Sequence, residues 1–295
     1  MFEKIIGNDK IKEMLSNTIE NGTTSHSYLF VGTQGIGKKM LAVQFAKKIL
    51  CLEQEEDNSC KSCIEFESNN HPDYMCIQPE GNSIKIEQIR FLQKKIQEKP
   101  IIASKKVYII NDADTMTQEA QNCLLKTLEE PPEFATIILI GSQENLFLPT
   151  IRSRCMILKF KPIEDDKLKQ YMEVNFGITN LTKNRLDMFQ GSIGKAILLK
   201  DKQDEYAEIE KMINNLVTKD LIEIVQLAEP LYKAKEEIFE ILEYMNILLL
   251  THAKENYLYT NCIKVVEDTK KRLKQNGNYD MCIDNLLFNI KEELI

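Results

Sequence analysis

A glycine-rich turn between a short apolar segment and an amphipathic segment offers the clearest chemistry in the sequence. It runs from Tyr28 to Lys39 and contains Gly32, Gly35 and Gly37. Glycine reaches backbone conformations that are closed to other residues, so its N–H groups can approach an anion. A helix that follows such a turn presents the positive end of its dipole. The order of strand, turn and helix therefore predicts a phosphate-binding loop, with a ligand-free glycine turn as the alternative.

The lysine of the phosphate-binding motif is present, but the residue that should hold the metal is not. Lys38 stands where G-x-x-x-x-G-K-[ST] has the lysine that reaches the terminal phosphates. The next residue should be Ser or Thr, whose hydroxyl ligates Mg²⁺, and here it is Lys39. In a P-loop ATPase a second strand delivers acidic groups to the metal and the attacking water. The best candidate strand ends with Asn111 at the metal-side position and Asp112 at the catalytic position. We therefore expect weak or absent binding of ATP or ADP and no Mg²⁺-dependent hydrolysis.

Three cysteines have the spacing of a zinc site. Cys51, Cys60 and Cys63 include one C-x2-C pair. A structural zinc site needs four ligands, and the position that would complete a second C-x2-C pair is Phe66. The possible substitutes, none at a habitual spacing, are Cys76, His71, Glu65 and Glu67. The sequence is compatible with two interpretations of the cysteine knuckle over residues 51–76: it binds zinc, or it keeps its shape by packing alone.

Composition and charge narrow the class of protein. Hydrophobic residues make up 43% and charged residues 28% of the chain, as in ordinary soluble globular proteins. The eight cysteines favour a reducing cytoplasm over a disulfide framework. Residues 1–200 carry 26 Lys and Arg against 26 Asp and Glu, which leaves 12 against 19 in residues 201–295 and accounts for the net charge of −7. No basic stripe indicates nucleic-acid binding, so any work on DNA is expected to go mainly through protein partners.

Strand and helix patterns alternate over the first 160 residues, and the pattern becomes helical from Glu164 onward. This alternation predicts an α/β domain with a parallel sheet, followed by helical parts. The predicted strands are Tyr28–Val31, Tyr74–Ile77, Lys106–Asn111, Ala135–Gly141 and Met156–Phe160.

Taken together, these features resemble the bacterial DNA polymerase III clamp-loader subunits, a branch of the AAA+ ATPases. The resemblance is specific and covers about residues 1–200. The matching stretches are H-S-Y-L-F at 26–30, the cysteine knuckle with His71-Pro72-Asp73, L-L-K-T-L-E-E-P-P at 124–132, and Ser153-Arg154-Cys155.

The resemblance implies a domain plan and a set of partners. It implies an AAA+ P-loop core over residues 1–161, a small helical lid over 162–205 and an all-α collar domain for oligomerisation over 206–295. The helical tail fits only by size and class. The family assembles hetero-pentameric rings of tau/gamma and delta subunits that dock onto the sliding clamp on primed DNA.

Compared with an ATP-hydrolysing subunit of the tau/gamma type, the chain lacks several site residues. The resemblance implies that a motor subunit would have Thr at Lys39, Asp at Asn111 and Glu at Asp112. It implies two sensor positions, at Ser142 and at Gly194, and the second would hold an arginine in a motor subunit. Several of the groups that contact metal or phosphate in a motor subunit are therefore missing together, although Lys38 is present.

Arg154, in contrast, is kept. In this family the arginine of the Ser-Arg-Cys signature acts in trans on ATP bound by a neighbouring subunit. A chain with this arginine and without a complete site of its own fits the delta-prime type, a non-hydrolysing stator. A motor subunit with unusual motifs and, from another class, a small-molecule P-loop kinase remain the alternatives.

Overall fold

The computed structural model describes residues 2, 5–53, 60–220, 223–224, 226 and 228–294. They divide into two units. The first comprises the chain up to Gln170 together with Gly191–Gly194, and the second comprises Tyr171–Gln190 and Lys195–Ile295. The boundaries expected at residues 161 and 205 stay a prediction. In the described ranges no helix has the length and apolar character needed to cross a bilayer.

A sheet of parallel strands organises the first unit. Its strands are β1 Ser27–Val31, β2 Tyr74–Ile77, β3 Lys106–Ile110, β4 Ala135–Gly141 and β5 Met156–Lys159. The order across the sheet is β2-β3-β4-β1-β5, and every pairing is parallel. Strands β1, β3 and β4 are buried along their whole length, which explains their near-continuous apolar sequences. The predicted α/β class with a parallel sheet is confirmed, and each predicted strand is present with ends displaced by one residue at most.

Helices cover both faces of this sheet. They are α1 Asp9–Glu20, α2 Lys38–Leu50, α3 Lys61–Glu67, α4 Ile86–Ile96, α5 Gln118–Glu129 and α6 Pro149–Arg152. Alternate residues of β1 enter two different cores, as the pleat of a strand requires. Tyr28 packs in the core that contains Phe45 of α2, and Leu29 packs in the core that contains Leu92 of α4. Strand β1 is therefore fixed from both sides.

The chain after β5 is helical, as predicted. The helices are α7 Asp165–Phe176, α8 Lys183–Phe189, α9 Ile193–Leu199, α10 Gln203–Asn215, α11 Glu229–Lys233, α12 Ile238–Ala253, α13 Tyr259–Lys274 and α14 Tyr279–Leu294. In the second unit α12 is apolar on much of its surface, and Leu242, Met245 and Leu249 are fully buried. Such an apolar helix lies inside a bundle, as expected for an all-α unit.

Asp73 of the His71-Pro72-Asp73 stretch holds the segment that leads into β3. Its carboxylate is buried and accepts hydrogen bonds from the backbone N–H groups of Ile101 at 2.8 Å, Ile102 at 2.7 Å and Ala103 at 2.9 Å. A buried carboxylate is tolerated when its lone pairs are used in this way. The acid of this stretch therefore has a structural role.

We expect Asp73→Ala to lower the free energy of unfolding by about 2–4 kcal/mol, because three backbone N–H groups lose a charged, buried acceptor. The measurement is urea unfolding followed by circular dichroism. Glu133→Ala removes an exposed acid and serves as the control, with an expected change within about 0.5 kcal/mol. Equal unfolding midpoints for the two variants would show that the carboxylate does not support this segment.

Candidate functional site

The glycine-rich loop joins the end of β1 to the start of α2. A Cβ on Gly32 would lie 2.8 Å from the carbonyl oxygen of Phe160, which leaves no room for a side chain. Gly35 has φ of +77°, a conformation that other residues adopt only with strain. The third glycine, Gly37, immediately precedes α2 as its N-cap. The loop therefore has the glycine-dependent shape that the motif predicts.

Lys38 is turned back onto its own loop. Its side chain is buried, and Nζ donates to the carbonyl oxygens of Gly32 at 2.5 Å and Thr33 at 2.7 Å. Burial lowers the pKa of the Lys38 ammonium, and the carboxylates of Asp114 and Asp112 partly offset that shift. A bound phosphate would have to compete with these carbonyl groups for the lysine. Lys39, at the position of the metal-binding hydroxyl, is exposed.

Gly194, the expected position of a sensor arginine, lies directly against the loop. Its backbone N–H donates to the carbonyl oxygen of Gly35 at 3.0 Å. A Cβ on Gly194 would be 2.9 Å from the Cα of Gly35, and a Cβ on Gly35 would be 3.1 Å from the Cα of Gly194. A side chain on either residue would force the two backbones apart. A direct backbone-to-backbone contact therefore joins the expected sensor position to the loop.

The polar residues at the ends of β3 and β4 bind one another. Asn111 Nδ2 donates to Asp112 Oδ2 at 2.8 Å, and Asp112 has a φ of +49°. Asp114 Oδ2 accepts from the backbone N–H of Ser142 at 2.8 Å and also from the Ser142 hydroxyl. Together with Lys38, the side chains of Asp112, Asp114 and Ser142 line an open cleft of about 500 Å³. Lys38, Asp112 and Ser142, which the sequence analysis assigns to a nucleotide site, thus lie around one cleft, and Asp114 joins them by binding Ser142.

The sulfur atoms of Cys51, Cys60 and Cys63 lie within 4.8 Å of one another, and those of Cys51 and Cys60 are 3.9 Å apart. Tetrahedral zinc with Zn–S bonds of about 2.3 Å separates its sulfur ligands by about 3.8 Å, so the spacing fits this metal. Burial raises the pKa of Cys60, but hydrogen bonds from the backbone of Cys63 and Leu52 and from the other two thiols outweigh it and lower that pKa to about 7. Burial and the neighbouring thiols raise the pKa of Cys63. Three cysteines could hold a metal; residues 54–59 of the predicted knuckle lie outside the described part of the chain.

His71 is already engaged elsewhere. Its Nδ1 accepts from the backbone N–H of Asp73 at 3.1 Å, so Nε2 carries the proton and donates to Ser62 Oγ at 2.8 Å. The Ser62 hydroxyl in turn donates to the carbonyl oxygen of Leu50 at 2.6 Å. Burial lowers the pKa of His71, and the charges of Asp73 and Glu65 partly offset that shift. This chain of bonds links the end of α2 to the strand that follows α3, and it uses both ring nitrogens.

The other possible fourth ligands also lie outside the sulfur cluster, within the ranges that the structure describes. Glu67 forms an ion pair with Lys47 at 2.5 Å. Cys76 is half-buried in β2, where burial raises the pKa of its thiol. Phe66, which takes the place of a fourth cysteine in the spacing, packs its ring 4.5 Å from the ring of Tyr74. Phe66 therefore packs against another aromatic ring and offers no ligand atom.

Arg154 follows α6 in the Ser-Arg-Cys signature, with its side chain 34% exposed. Its Nη1 donates to the carbonyl oxygen of Thr150 at 2.9 Å and to Ser153 Oγ at 3.3 Å. Its Nη2 forms an ion pair with Glu129 Oε1 at 2.8 Å. The backbone carbonyl of Arg154 accepts from Ser27 Oγ, at the start of β1, at 2.6 Å. Neither Glu129 nor Ser27 was expected from the sequence to contact this arginine, since each contact joins distant parts of the chain.

A parallel sheet with a phosphate loop after its buried strand β1 and polar side chains after β3 and β4 defines a P-loop core of the AAA+ class. A comparison with known protein families identifies the family within this class. The family described as "DNA polymerase III, delta subunit" matches residues 7–164. The chain therefore belongs to the DNA polymerase III delta-prime subunit family, as the sequence resemblance indicates.

Individual relatives agree with this assignment. DNA polymerase III subunit delta′ of Bacillus subtilis is 32% identical, with 96% of each chain covered. DNA polymerase III subunit tau/gamma of Haemophilus influenzae is 32% identical over 58% of this chain, but the match spans only 25% of that longer protein. A solved DNA polymerase III gamma-subunit-related protein of Thermotoga maritima is 20% identical with a TM-score of 0.48, covering 95% of this chain and 99% of that one, and the assignment does not rest on it.

Proposed function

We propose that this chain is a non-hydrolysing delta-prime subunit of a clamp loader. In this role it helps to assemble the ring that loads the sliding clamp onto primed DNA. Its proposed partners are the tau/gamma and delta subunits of a hetero-pentamer, joined through a collar formed by residues 206–295. The core over 1–161 and the lid over 162–205 complete the proposed domain plan. Family membership supports the clamp-loader role, and the site residues support the finer assignment.

The contact between Gly194 and Gly35 carries the non-hydrolysing part of the proposal. Phosphoryl transfer depends on positioned metal ions and cationic side chains around the transferred group. Here the segment of the sensor position is bonded to the loop by backbone atoms at 3.0 Å. Lys39 places a positive charge where Mg²⁺ would be held. Electrostatic repulsion between the Lys39 ammonium and the Mg²⁺ ion disfavours metal binding.

The main alternative is an ATP-hydrolysing subunit of the tau/gamma type. The tau/gamma relatives are as identical to this chain over the parts that they match as the delta′ relative is, so percent identity alone does not separate the two types. The site residues favour the delta-prime type, because Lys39, Asn111 and Gly194 each lack the group that a motor subunit would use. Membership of the polymerase III family leaves the small-molecule kinase without support.

The isolated chain is expected to release no phosphate from Mg²⁺-ATP above background. Lys39→Thr alone should not restore turnover, because the Gly194 contact and the Asn111–Asp112 pair are unchanged. The measurement is steady-state phosphate release, with nucleotide binding followed separately by calorimetry, where weak or absent ADP binding is expected. Turnover on the order of 1 s⁻¹, at the low end for kinases, would support the motor alternative instead.

We also propose that Cys51, Cys60 and Cys63 hold a structural zinc ion. A bound zinc would fix the end of α2 to the start of α3, because Cys51 follows one helix and Cys60 precedes the other. The matched spacing of the sulfur atoms supports this proposal. The fourth position would be taken by a substitute ligand or by solvent.

Protein purified without chelator is expected to contain about one zinc per chain by elemental analysis. Cys63→Ser should lose the metal, whereas Cys76→Ser, which alters a thiol outside the sulfur cluster, should retain it. Wild-type protein without metal would mean that the knuckle keeps its shape by packing alone.

We propose further that Arg154 acts on ATP bound by a neighbouring subunit. The hydroxyl of Ser27 bonds the backbone of Arg154 to the beginning of β1, whereas the chain's own phosphate loop follows the end of β1. Five residues of strand span roughly 13 Å between these ends, a separation longer than an arginine side chain. An arginine at the opposite end of β1 from the phosphate loop is suited to contact a nucleotide bound by a partner. There it would stabilise charge on the transferred phosphoryl group.

We expect Arg154→Ala to leave the chain folded and able to join the complex while lowering the DNA- and clamp-stimulated ATPase of the assembly. Arg154→Lys should rescue little, because an ammonium lacks the planar fork of a guanidinium. The loss should be partial, since other interfaces keep their own arginines. Reconstituted complexes are compared by steady-state ATPase and clamp loading.

Arg152→Ala is the matched control for this experiment. Arg152 lies two residues away and faces Glu144, with a separation of 3.7 Å between the charged groups. Its removal should leave ATPase activity near the wild-type value. If the Arg154 variants also retain full ATPase and clamp loading in an intact assembly, Arg154 is a surface charge and has no trans role.

A further inference from the structure

We infer that Glu129 is a positioning residue for Arg154: it holds the guanidinium in the orientation needed to meet a phosphate of the neighbouring subunit. The inference rests on the proposed trans role of Arg154. Glu129 belongs to the L-E-E-P-P stretch, to which the sequence alone assigns no chemistry. Its carboxylate reaches Nη2 of Arg154 at 2.8 Å.

The backbone of Arg154 is fixed before its side chain is considered. The carbonyl oxygen accepts from Ser27 Oγ at 2.6 Å, and the N–H donates to the carbonyl oxygen of Ile151 at 3.0 Å. Ser27 belongs to the fully buried strand β1, so this anchor is rigid. The remaining freedom of Arg154 lies in its side-chain torsions, which carry much rotamer entropy in an arginine.

Two acceptors on opposite nitrogens restrict those torsions. The carbonyl oxygen of Thr150 binds Nη1 at 2.9 Å, while Glu129 binds Nη2 at 2.8 Å. A guanidinium is planar, so acceptors on both terminal nitrogens define the orientation of its plane. Arginine has five N–H donors, more than these contacts use, and a phosphate oxygen can still be bound.

The placement of Glu129 is not explained by its own helix. It is the last residue of α5, where the exposed carbonyl groups give the helix end a partial negative charge. A carboxylate at this end is unfavourable, whereas the nearby Lys126 is favourable. The cation that offsets the cost for Glu129 is Arg154, which belongs to another part of the chain. Removing the carboxylate should therefore not weaken α5, and the fold should tolerate the change.

The test compares reconstituted clamp-loader complexes that carry Glu129→Ala or Glu129→Gln. Both side chains of the ion pair are partly exposed, and exposed pairs are weak, so Glu129→Ala should lower kcat for ATP hydrolysis by about 2- to 5-fold. The KM for ATP should not change, because Arg154 does not bind the ground-state nucleotide in this scheme. Glu129→Gln should restore most of the loss, since its amide oxygen still accepts from Nη2. Glu130→Ala, which removes the adjacent exposed acid, is the control and should have wild-type kcat.

A double-mutant comparison separates positioning from an independent effect. If Glu129 acts through Arg154, Glu129→Ala should have no further effect on a complex that already carries Arg154→Ala. An equal loss in both backgrounds would overturn the inference, and so would an unchanged kcat. An increased kcat would also overturn it, because it would mean that Glu129 restrains the arginine from its partner. If Arg154→Ala has no effect on ATP hydrolysis, the proposed trans role of Arg154 is wrong. If Arg154→Ala lowers kcat but the Glu129 variants do not, the trans role stands and only the positioning role of Glu129 is wrong.

Discussion

Burial of strand β1 on both faces of the sheet is the constraint on which the candidate chemistry depends. Tyr28 and Leu29 enter different cores, so the strand cannot shift toward either face without opening the other. Its neighbours β4 and β5 fix it in the plane of the sheet. The phosphate loop begins where this strand ends, and the hydroxyl of Ser27 holds the backbone of Arg154 where the strand begins. A single rigid element therefore sets the distance between the phosphate loop and the arginine proposed to serve a partner.

The residues around the loop satisfy one another without a nucleotide. Lys38 donates to carbonyl groups of its own loop, Asn111 binds Asp112, and Gly194 binds Gly35. Each of these polar groups would otherwise require a ligand or water, because unpaired groups in a partly buried site are costly. A phosphate would reach Lys38 only by displacing bonds that the lysine already makes. The weak or absent binding that we propose would then have two causes: competition for Lys38 by its own loop and the missing metal-binding hydroxyl.

Much of the fold could be predicted because it is encoded in short stretches of adjacent residues. Buried parallel strands such as Ala135–Gly141 appear as continuous apolar runs, and the glycine spacing of the loop requires only adjacent residues. The cysteines of the sulfur cluster were likewise found from their spacing. The contacts of Glu129 with Arg154 and of Gly194 with Gly35 could not be predicted in this way. They join residues that only the tertiary fold brings together, and neither glutamate nor glycine has a local pattern that announces such a partner. His71 was one of four possible substitute ligands in the sequence, and only the structure shows that both of its ring nitrogens have structural partners.

The loop also has a structural use, which depends on its glycines. Ile36 of the loop is almost completely buried, and its Cδ1 would be only 2.8 Å from a Cβ on Gly32. The same turn brings the Gly35 carbonyl to the backbone of Gly194, and Gly191 of that segment accepts from the N–H of Ile163 at 2.9 Å. The loop thereby connects the end of β1 to the segment Gly191–Gly194 and to the chain that follows β5. A motif built for close backbone approach to phosphate is equally suited to close approach of another backbone, because both depend on the missing Cβ atoms. In this chain the loop with the phosphate-binding shape also holds neighbouring segments of the first unit together.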